Sequence, residues 1–301
     1  MPRIPPLDPR RRRKAFLRVV SLGILLSAAG CAYYLLSSRY TEEGLYRSSE
    51  LLIRQGRHKE ATRILEDLLQ KYSGGEYYTA ALIDAANAYN FFLRNIPRAI
   101  ELYKSATEEP TLPLEKKLEA KERLAEIYVQ DVGDLEQALS EYKALRIEQS
   151  DRKQRQKSTY QIGLIYLKQN QFEKALQELE DVAKMKGEED LRERALLKIG
   201  TIHTFLGNYS DAEAPLLEIE KSAKADEVRM QAKQALVDVW EAMEKYDKAL
   251  DVLNSMSGGA EVETFKREEQ KRIREKAGIL RNKASSPWGV KKNKTPVKEG
   301  Q

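Results

Sequence analysis

The chain has 301 residues, of which 33% are charged and 8% are aromatic, so it is long enough for one large domain or a repeat array. Its formal net charge of +5 is unevenly distributed: residues 1–18 carry +6, residues 281–301 carry +5, and residues 19–280 carry −6. Because contacts with nucleic-acid phosphates need a basic face, this acidic central part excludes nucleic acid as its expected partner.

Catalytic and metal-binding residue patterns are missing from the sequence. Cys31 is the only cysteine, and the two histidines, His58 and His203, lie 145 residues apart in the chain, so neither a disulfide nor a shared metal site is expected. No phosphate-binding loop, zinc-ligand spacing or nucleophile motif is present. We therefore predict no enzymatic activity, no cofactor, no metal and no small-molecule substrate.

The N-terminal region has the composition of a membrane-targeting segment. Residues 1–18 are basic and contain four prolines, which predicts disorder. They are followed by residues 19–38, which contain no charged side chain. Twenty helical residues span about 30 Å, the thickness of a bilayer core. The sequence therefore predicts a membrane segment over residues 19–38.

Two hypotheses explain this segment. In the first it is an uncleaved transmembrane helix, with the arginine cluster at residues 10–13 in the cytoplasm and the remaining chain on the periplasmic side. In the second it is a lipoprotein signal, in which Ala28, Ala29 and Gly30 precede an acylated Cys31. The apolar run continues beyond Cys31, and Ala28 stands where lipoprotein signals prefer leucine. Both features favour the transmembrane helix.

The central chain contains a helical hairpin at residues 159–182. Ile162, Gly163 and Tyr166 follow helical spacing, and after a break near Asn170 a second helix carries Ala175 and further apolar residues. Because Gly163 and Ala175 have almost no side chain, we expect the two antiparallel helices to approach closely there.

The same pattern recurs six times. The alanines of the second helices are separated by 38, 39, 37, 37 and 37 residues, and they are Ala61, Ala99, Ala138, Ala175, Ala212 and Ala249. The small position of each first helix is occupied by Ser49, Ala86, Ala125, Gly163, Gly200 and Val237, and the aromatic position three residues later by Leu52, Tyr89, Tyr128, Tyr166, His203 and Trp240. This pattern resembles the tetratricopeptide repeat.

The resemblance implies an all-α fold, a right-handed α-solenoid of about six helical hairpins over residues 41–256. Repeats two and three each need one additional residue, which we place in the hairpin turns at residues 95–97 and 131–134. A charged segment at residues 261–283 suits a C-terminal capping helix. Residues 284–301 are polar and basic and are predicted to be disordered.

The resemblance also implies a peptide-binding groove formed by the first helices. Asparagine amides would bind a peptide backbone there, and aromatic rings would bury partner side chains. The corresponding positions of repeats one to three are Tyr46, Ile83, Asn87, Asn90, Phe91, Glu122 and Glu126, and those of repeats four and five are Tyr160, Leu164, Leu167, Lys168, Thr204 and Phe205.

The combination of a membrane segment and repeats is similar to that of membrane-anchored bacterial tetratricopeptide repeat proteins of the YfgM and BamD types. We therefore expect a noncatalytic, single-pass membrane scaffold that binds a protein or peptide on the periplasmic side. Two alternatives remain open at this stage. One is a periplasmic chaperone or envelope-assembly lipoprotein acylated at Cys31 that binds unfolded clients. The other is an organelle membrane receptor with cytosolic repeats.

Overall fold

The computed structural model describes residues 40–285, in which all regular secondary structure is helical. The predicted basic segment at residues 1–18, the membrane segment at residues 19–38 with Cys31, and residues 286–301 lie outside the described part. Between residues 40 and 285, no helix combines the length and apolar character needed to cross a bilayer. The described residues divide into two compact units, unit 1 ending at Asp134 and unit 2 beginning at Leu135.

Unit 1 contains two helical hairpins and one further helix. Consecutive helices pack against each other, as hairpin connectivity requires. Its α-helices are α1 (Glu42–Arg54), α2 (His58–Lys71), α3 (Tyr78–Asn87), α4 (Ile96–Glu108) and α5 (Leu114–Ile127). Helix α3 continues into a π-helical segment at Ala88–Leu93, and α5 continues into a second one at Tyr128–Val132.

Unit 2 begins with a single helix, continues through three hairpins and ends with a longer helix. Its members are α6 (Leu135–Glu148), α7 (Arg152–Lys168), α8 (Phe172–Lys184), α9 (Glu189–Phe205), α10 (Tyr209–Ser222), α11 (Asp226–Ala242), α12 (Tyr246–Ser255) and α13 (Ala260–Ser285). The last of these covers the predicted capping helix and extends to Ser285, so Ala284 and Ser285 are helical rather than disordered.

The repeat alanines lie at the most buried positions of the second helices. All six have a relative exposure of 0%. Five residues before each alanine, the turn contains a residue in the left-handed conformation: Gly56, Arg94, Gly133, Asn170, Gly207 and Glu244. A left-handed residue ends a helix by redirecting the chain after its last turn. The alanine spacing therefore equals the spacing of the hairpin turns. The predicted all-α repeat fold is confirmed.

Two glycines allow the first and second helices of a hairpin to approach closely. A side-chain carbon at Gly163 would lie 3.0 Å from Leu179 Cγ, and one at Gly200 would lie 2.5 Å from Leu216 Cγ. Both leucines are fully buried. The small residues therefore set the distance between the helices, and the leucines fill the space around them.

The additional residues of repeats two and three lie inside the first helices, which corrects their predicted position in the turns. The left-handed residue follows the small position by seven residues in repeats one, four, five and six, but by eight at Arg94 and Gly133. The intervening residues form the two π-helical segments. A π-turn accommodates one extra residue by widening the helix, so the turn itself keeps its geometry.

Polar side chains near the start of three first helices bind the connector after the same hairpin. Glu42 accepts a hydrogen bond from the backbone N–H of Tyr77 (2.6 Å), Gln156 from that of Glu188 (2.6 Å), and Glu193 from that of Lys224 (3.0 Å). Each acceptor lies nineteen residues before its repeat alanine. These bonds satisfy connector N–H groups that have no helical partner and fix each connector to its own repeat.

Candidate peptide-binding surface

In unit 1, the predicted groove residue Tyr46 joins α1 to α3. Its hydroxyl donates a hydrogen bond to Asp84 Oδ2 at 2.9 Å, and its ring lies 5.1 Å from that of Tyr77. Burial raises the pKa of Asp84 above its usual range, and burial together with the Asp84 carboxylate raises the pKa of Tyr46. Sequence reasoning missed Asp84, although it is the only charged residue of α3.

The two predicted asparagines of unit 1 are at least partly buried. Asn87 Oδ1 accepts a hydrogen bond from the hydroxyl of Tyr103 on α4 at 2.6 Å. Asn90 lies in the first π-helical segment and is only 5% exposed. Neither amide lies on a fully exposed surface, and contact of these residues with a peptide backbone stays a prediction. The sequence-based assignment assumed a regular α-helix at Asn90, whereas the π-turn changes the direction of the side chains that it contains.

Exposed aromatic residues follow these asparagines. Phe91, which the sequence predicted, is 49% exposed, and the guanidinium of Arg123 lies 5.5 Å from its ring centroid. Arg123 also binds Glu126 at 2.8 Å. The neighbouring Phe92, which was not predicted, is 57% exposed and stacks on His58 with ring centroids 3.6 Å apart. The predicted Ile83 and Glu122 are half-buried.

In unit 2, the predicted Tyr160 lines a pocket of about 390 Å³ between α7 and α9, the first helices of two consecutive repeats. Tyr160 is 8% exposed, and its burial raises the pKa of its hydroxyl. Arg194 in the pocket wall binds Asp190 at 2.9 Å. The other lining residues include Lys153, Gln154, Lys157, Gln161, Glu188 and Leu191. An aromatic ring, amides and cations thus meet in one open cavity.

The remaining predicted residues of unit 2 do not line this pocket. Leu164 and Leu167 are half-buried, and Lys168 is exposed at the end of α7. The Thr204 hydroxyl donates to the Gly200 carbonyl of its own helix at 2.8 Å. Phe205 is 74% exposed, and its ring lies 5.3 Å from that of Phe172. Among the residues predicted here, only Tyr160 therefore lines the cavity.

The carboxylates near these surfaces are engaged in structural contacts. Within residues 40–285, no three His, Cys, Asp or Glu side chains are placed to hold a metal ion. The other prominent carboxylate, Glu213, accepts hydrogen bonds from Trp240 Nε1, Lys245 and Lys248 at 2.9 to 3.0 Å. These donors lower the pKa of Glu213 to about 2. Glu213 thereby holds α10 to the following hairpin, which is a structural role.

Comparison with known proteins identifies the repeats. Family models described as tetratricopeptide repeat match residues 43–74 and residues 160–227. No curated protein matches the chain. Among solved structures, a tetratricopeptide repeat protein from Parabacteroides merdae is 19% identical, with a TM-score of 0.51, and the match covers 79% of this chain and 93% of that one.

Two further structures are similar at lower TM-scores. PilW, described as a widely conserved type IV pilus biogenesis factor, is 12% identical with a TM-score of 0.47, over 75% of this chain and 98% of its own. YrrB, described as a repeat protein with an unusual peptide-binding site, is 14% identical with a TM-score of 0.49, over 67% of this chain and 97% of its own. Residues 43–74 and 160–227 thus contain tetratricopeptide repeats, a fold that generally serves as a noncatalytic scaffold for binding proteins or peptides.

Proposed function

We propose that this protein is a noncatalytic scaffold that holds a peptide segment of a partner protein against the first helices of unit 2. The observation that carries this proposal is the open pocket of about 390 Å³ between α7 and α9. A cavity of this size accommodates a few side chains of an extended peptide. Tyr160 offers an apolar ring, Gln161 offers an amide with both donor and acceptor atoms, and Lys153 offers positive charge beside the Arg194–Asp190 ion pair.

The proposal includes a membrane anchor at residues 19–38 and repeats on the periplasmic side, as in the YfgM and BamD types that the sequence resembles. Its support is the uncharged run of twenty residues that follows the basic residues 1–18. An anchor this close to α1 would keep the scaffold near the membrane surface. The intact mass of the mature protein tests the anchor, because an unmodified full chain fits a transmembrane helix and an acylated Cys31 fits the lipoprotein.

Partner binding is tested by filling the pocket. Gln161→Trp places a bulky ring beside Tyr160, and Gln177→Trp makes the same change at an exposed position of α8, which is a second helix. The full chain is crosslinked in membranes of its own host, solubilised in detergent, and its bound proteins are quantified. We expect Gln161→Trp to reduce capture of a specific partner by about tenfold, with Gln177→Trp at the wild-type level. Equal capture by both variants would refute a binding role for this pocket.

A further inference from the structure

A second pocket of unit 2, of about 340 Å³, is surrounded by positive charge. It lies where α7 begins and α8 ends, and its lining residues are Arg146, Arg152, Arg155, Met185 and Lys186. Arg146 binds Glu178 at 2.7 Å. Among the described residues, no carboxylate lies within ion-pairing distance of Arg152, Arg155 or Lys186. Three cationic side chains therefore converge on a cavity without a neutralising partner.

The following repeats show what the same positions contain when they are neutralised internally. Arg192 and Arg229 occupy the register of Arg155, and each binds an acidic residue three positions earlier, Glu189 or Asp226, at 2.8 Å. In repeat four, that acidic position is occupied by Arg152. The attractive pair of repeats five and six is thus replaced by two like charges on one helix face, which is unfavourable in an isolated helix.

The helix dipole adds to this unfavourable arrangement. Helices α9 and α11 begin with acidic residues, which interact well with the positive end of the dipole. Helix α7 is capped by Asp151, whose carboxylate accepts a hydrogen bond from the Gln154 N–H at 3.1 Å, but its first turn has no acidic residue and its first six residues include four cations. Four cations face one capping carboxylate, so the cluster keeps a net mutual repulsion that a negatively charged ligand would relieve.

We propose that this cluster, Arg146, Arg152, Arg155 and Lys186, binds an acidic peptide segment of the partner protein. Arginine side chains form paired hydrogen bonds with carboxylates. Met185 supplies an apolar wall, and Ile147, which follows Arg146 in the sequence, is 82% exposed, so the segment would combine acidic with apolar residues. This inference rests on the proposed scaffold function and adds the charge of the bound segment.

The surroundings favour a short acidic segment over a long polyanion. Asp151 immediately precedes the cluster, and Glu188, Glu189 and Asp190 follow Lys186 in the chain. A nucleic-acid backbone or an anionic membrane extending past the pocket would approach these carboxylates and be repelled. A peptide can place its carboxylates in the cavity and end or change composition beyond it.

The test uses the full chain and a synthetic twelve-residue peptide of alternating glutamate and leucine that carries a fluorophore and a photoreactive group. Arg152→Glu restores the acidic residue found in repeats five and six, so the variant should fold and bind Arg155 internally. Lys221→Glu makes the same charge change at an exposed site of α10 outside the pocket. We expect Arg152→Glu to weaken peptide binding about tenfold and Lys221→Glu less than twofold.

Crosslinks should map to residues 146–186, which separates the cluster from the basic residues at the chain ends. Equal affinity of wild type and Arg152→Glu, crosslinks confined to the chain ends, or equal binding of a glutamine–leucine peptide would overturn the proposal. So would tighter, Arg152-dependent binding of phosphatidylglycerol vesicles or of a single-stranded oligonucleotide. If only this test fails while Gln161→Trp still abolishes partner capture, the scaffold function stands without the acidic segment.

Discussion

Units 1 and 2 share one hairpin design but differ in how the first helix reaches its turn. In unit 2 all three hairpins use seven residues between the small position and the left-handed residue, and their first helices stay α-helical. In unit 1, α3 and α5 each absorb an additional residue in a π-helical segment. The left-handed turn residue and the buried alanine keep their mutual spacing in both units, so the insertion changes surfaces without changing the hairpin.

The surfaces differ accordingly. Unit 1 buries its polar first-helix residues in internal bonds, such as Tyr46 with Asp84, and exposes Phe91 and Phe92 beside the turn. Unit 2 keeps two open pockets lined by arginine and lysine. The comparison teaches that an inserted residue moves polar side chains of the first helix inward and aromatic ones outward, whereas the regular first helices α7 and α9 leave polar side chains facing a cavity.

The largest expected effect concerns helix approach in unit 2. A β-carbon at Gly200 would lie only 2.5 Å from Cγ of the buried Leu216, and valine adds two further methyl groups there. We therefore expect Gly200→Val to lower the free energy of unfolding by about 3 kcal/mol. Gly278→Val is the control, since a side-chain carbon at Gly278 meets nothing within 4 Å. Urea unfolding followed by circular dichroism measures both. Equal stabilities would mean that Gly200 does not set the helix distance.

The hydrogen bonds between glutamate side chains and connector N–H groups should contribute more to stability in unit 2 than in unit 1, because the glutamate of unit 2 is more deeply buried. Glu193 of unit 2 is only 3% exposed, so Glu193→Ala leaves the Lys224 N–H without an acceptor at a buried site. We expect it to lower the free energy of unfolding by about 2 kcal/mol. Glu193→Gln keeps an acceptor oxygen and should recover most of this loss. Glu42→Ala in unit 1 removes the bond to Tyr77 at a more exposed site and should cost less. Urea unfolding measures the three variants, and the midpoint should fall furthest for Glu193→Ala. A larger loss of stability for Glu42→Ala than for Glu193→Ala would contradict the prediction.

One carboxylate in each unit, Glu213 in unit 2 and Asp84 in unit 1, should make the folding stability depend on pH, and the two dependences should have opposite signs. Because cationic and indole donors hold the pKa of Glu213 at about 2, below its ordinary 4.5, its stabilisation is complete above pH 4.5 and is lost as pH falls toward 2. Burial raises the pKa of Asp84, so its contribution is most favourable at low pH and declines as pH rises through that raised value.

At pH 7, Glu213→Gln should therefore destabilise by about 1 kcal/mol, and Asp84→Asn should stabilise by a smaller amount. Both differences from wild type should disappear once the wild-type carboxylate is protonated, near pH 2 for Glu213 and at a higher pH for Asp84. Chemical unfolding at several pH values measures this. A pH-independent effect of either variant would show that the titration of that carboxylate is not linked to folding.

The smallest effect concerns the left-handed turn residues. Glu244→Gly in unit 2 removes the steric cost of φ 57° without removing any described side-chain bond, and should stabilise by about 0.5 kcal/mol. Arg94→Gly in unit 1 relieves similar strain at φ 52° but loses the ion pair with Asp131 and the bond to the Asn90 carbonyl. Its net change should be closer to zero. Thermal unfolding of the two variants measures the difference, and a larger gain for Arg94→Gly would contradict it.

The sequence predicts the repeat fold well because the alanine positions and their small partners depend on local helix geometry. The six repeat alanines are all fully buried, as the repeat register predicts. The alanine spacings of 38 and 39 residues show that repeats two and three contain additional residues. They do not show where these residues lie, because no residue type distinguishes a π-turn from an α-helix in the sequence. Asn90, predicted at an exposed groove position, is only 5% exposed.

The candidate site is less predictable because it depends on residues from different helices. Tyr160 follows from the resemblance, whereas Arg194 and Lys153 join it only through the packing of α7 beside α9. The sequence analysis did not single out Arg152 and Arg155, because their lack of carboxylate partners becomes evident only beside the paired arginines of the next two repeats. The connector bonds of Glu42, Gln156 and Glu193 likewise require the three-dimensional register.

The central claim is that a partner peptide binds against the first helices of unit 2. The most direct measurement places one photoreactive residue at position 161 in the pocket wall, at position 177 on α8, or at position 91 in unit 1, and identifies crosslinked proteins by mass spectrometry. We predict a specific partner segment crosslinked from position 161 and not from position 177, with weaker or no crosslinking from position 91. Crosslinking of the same partner from position 177 but not from position 161 would contradict the account.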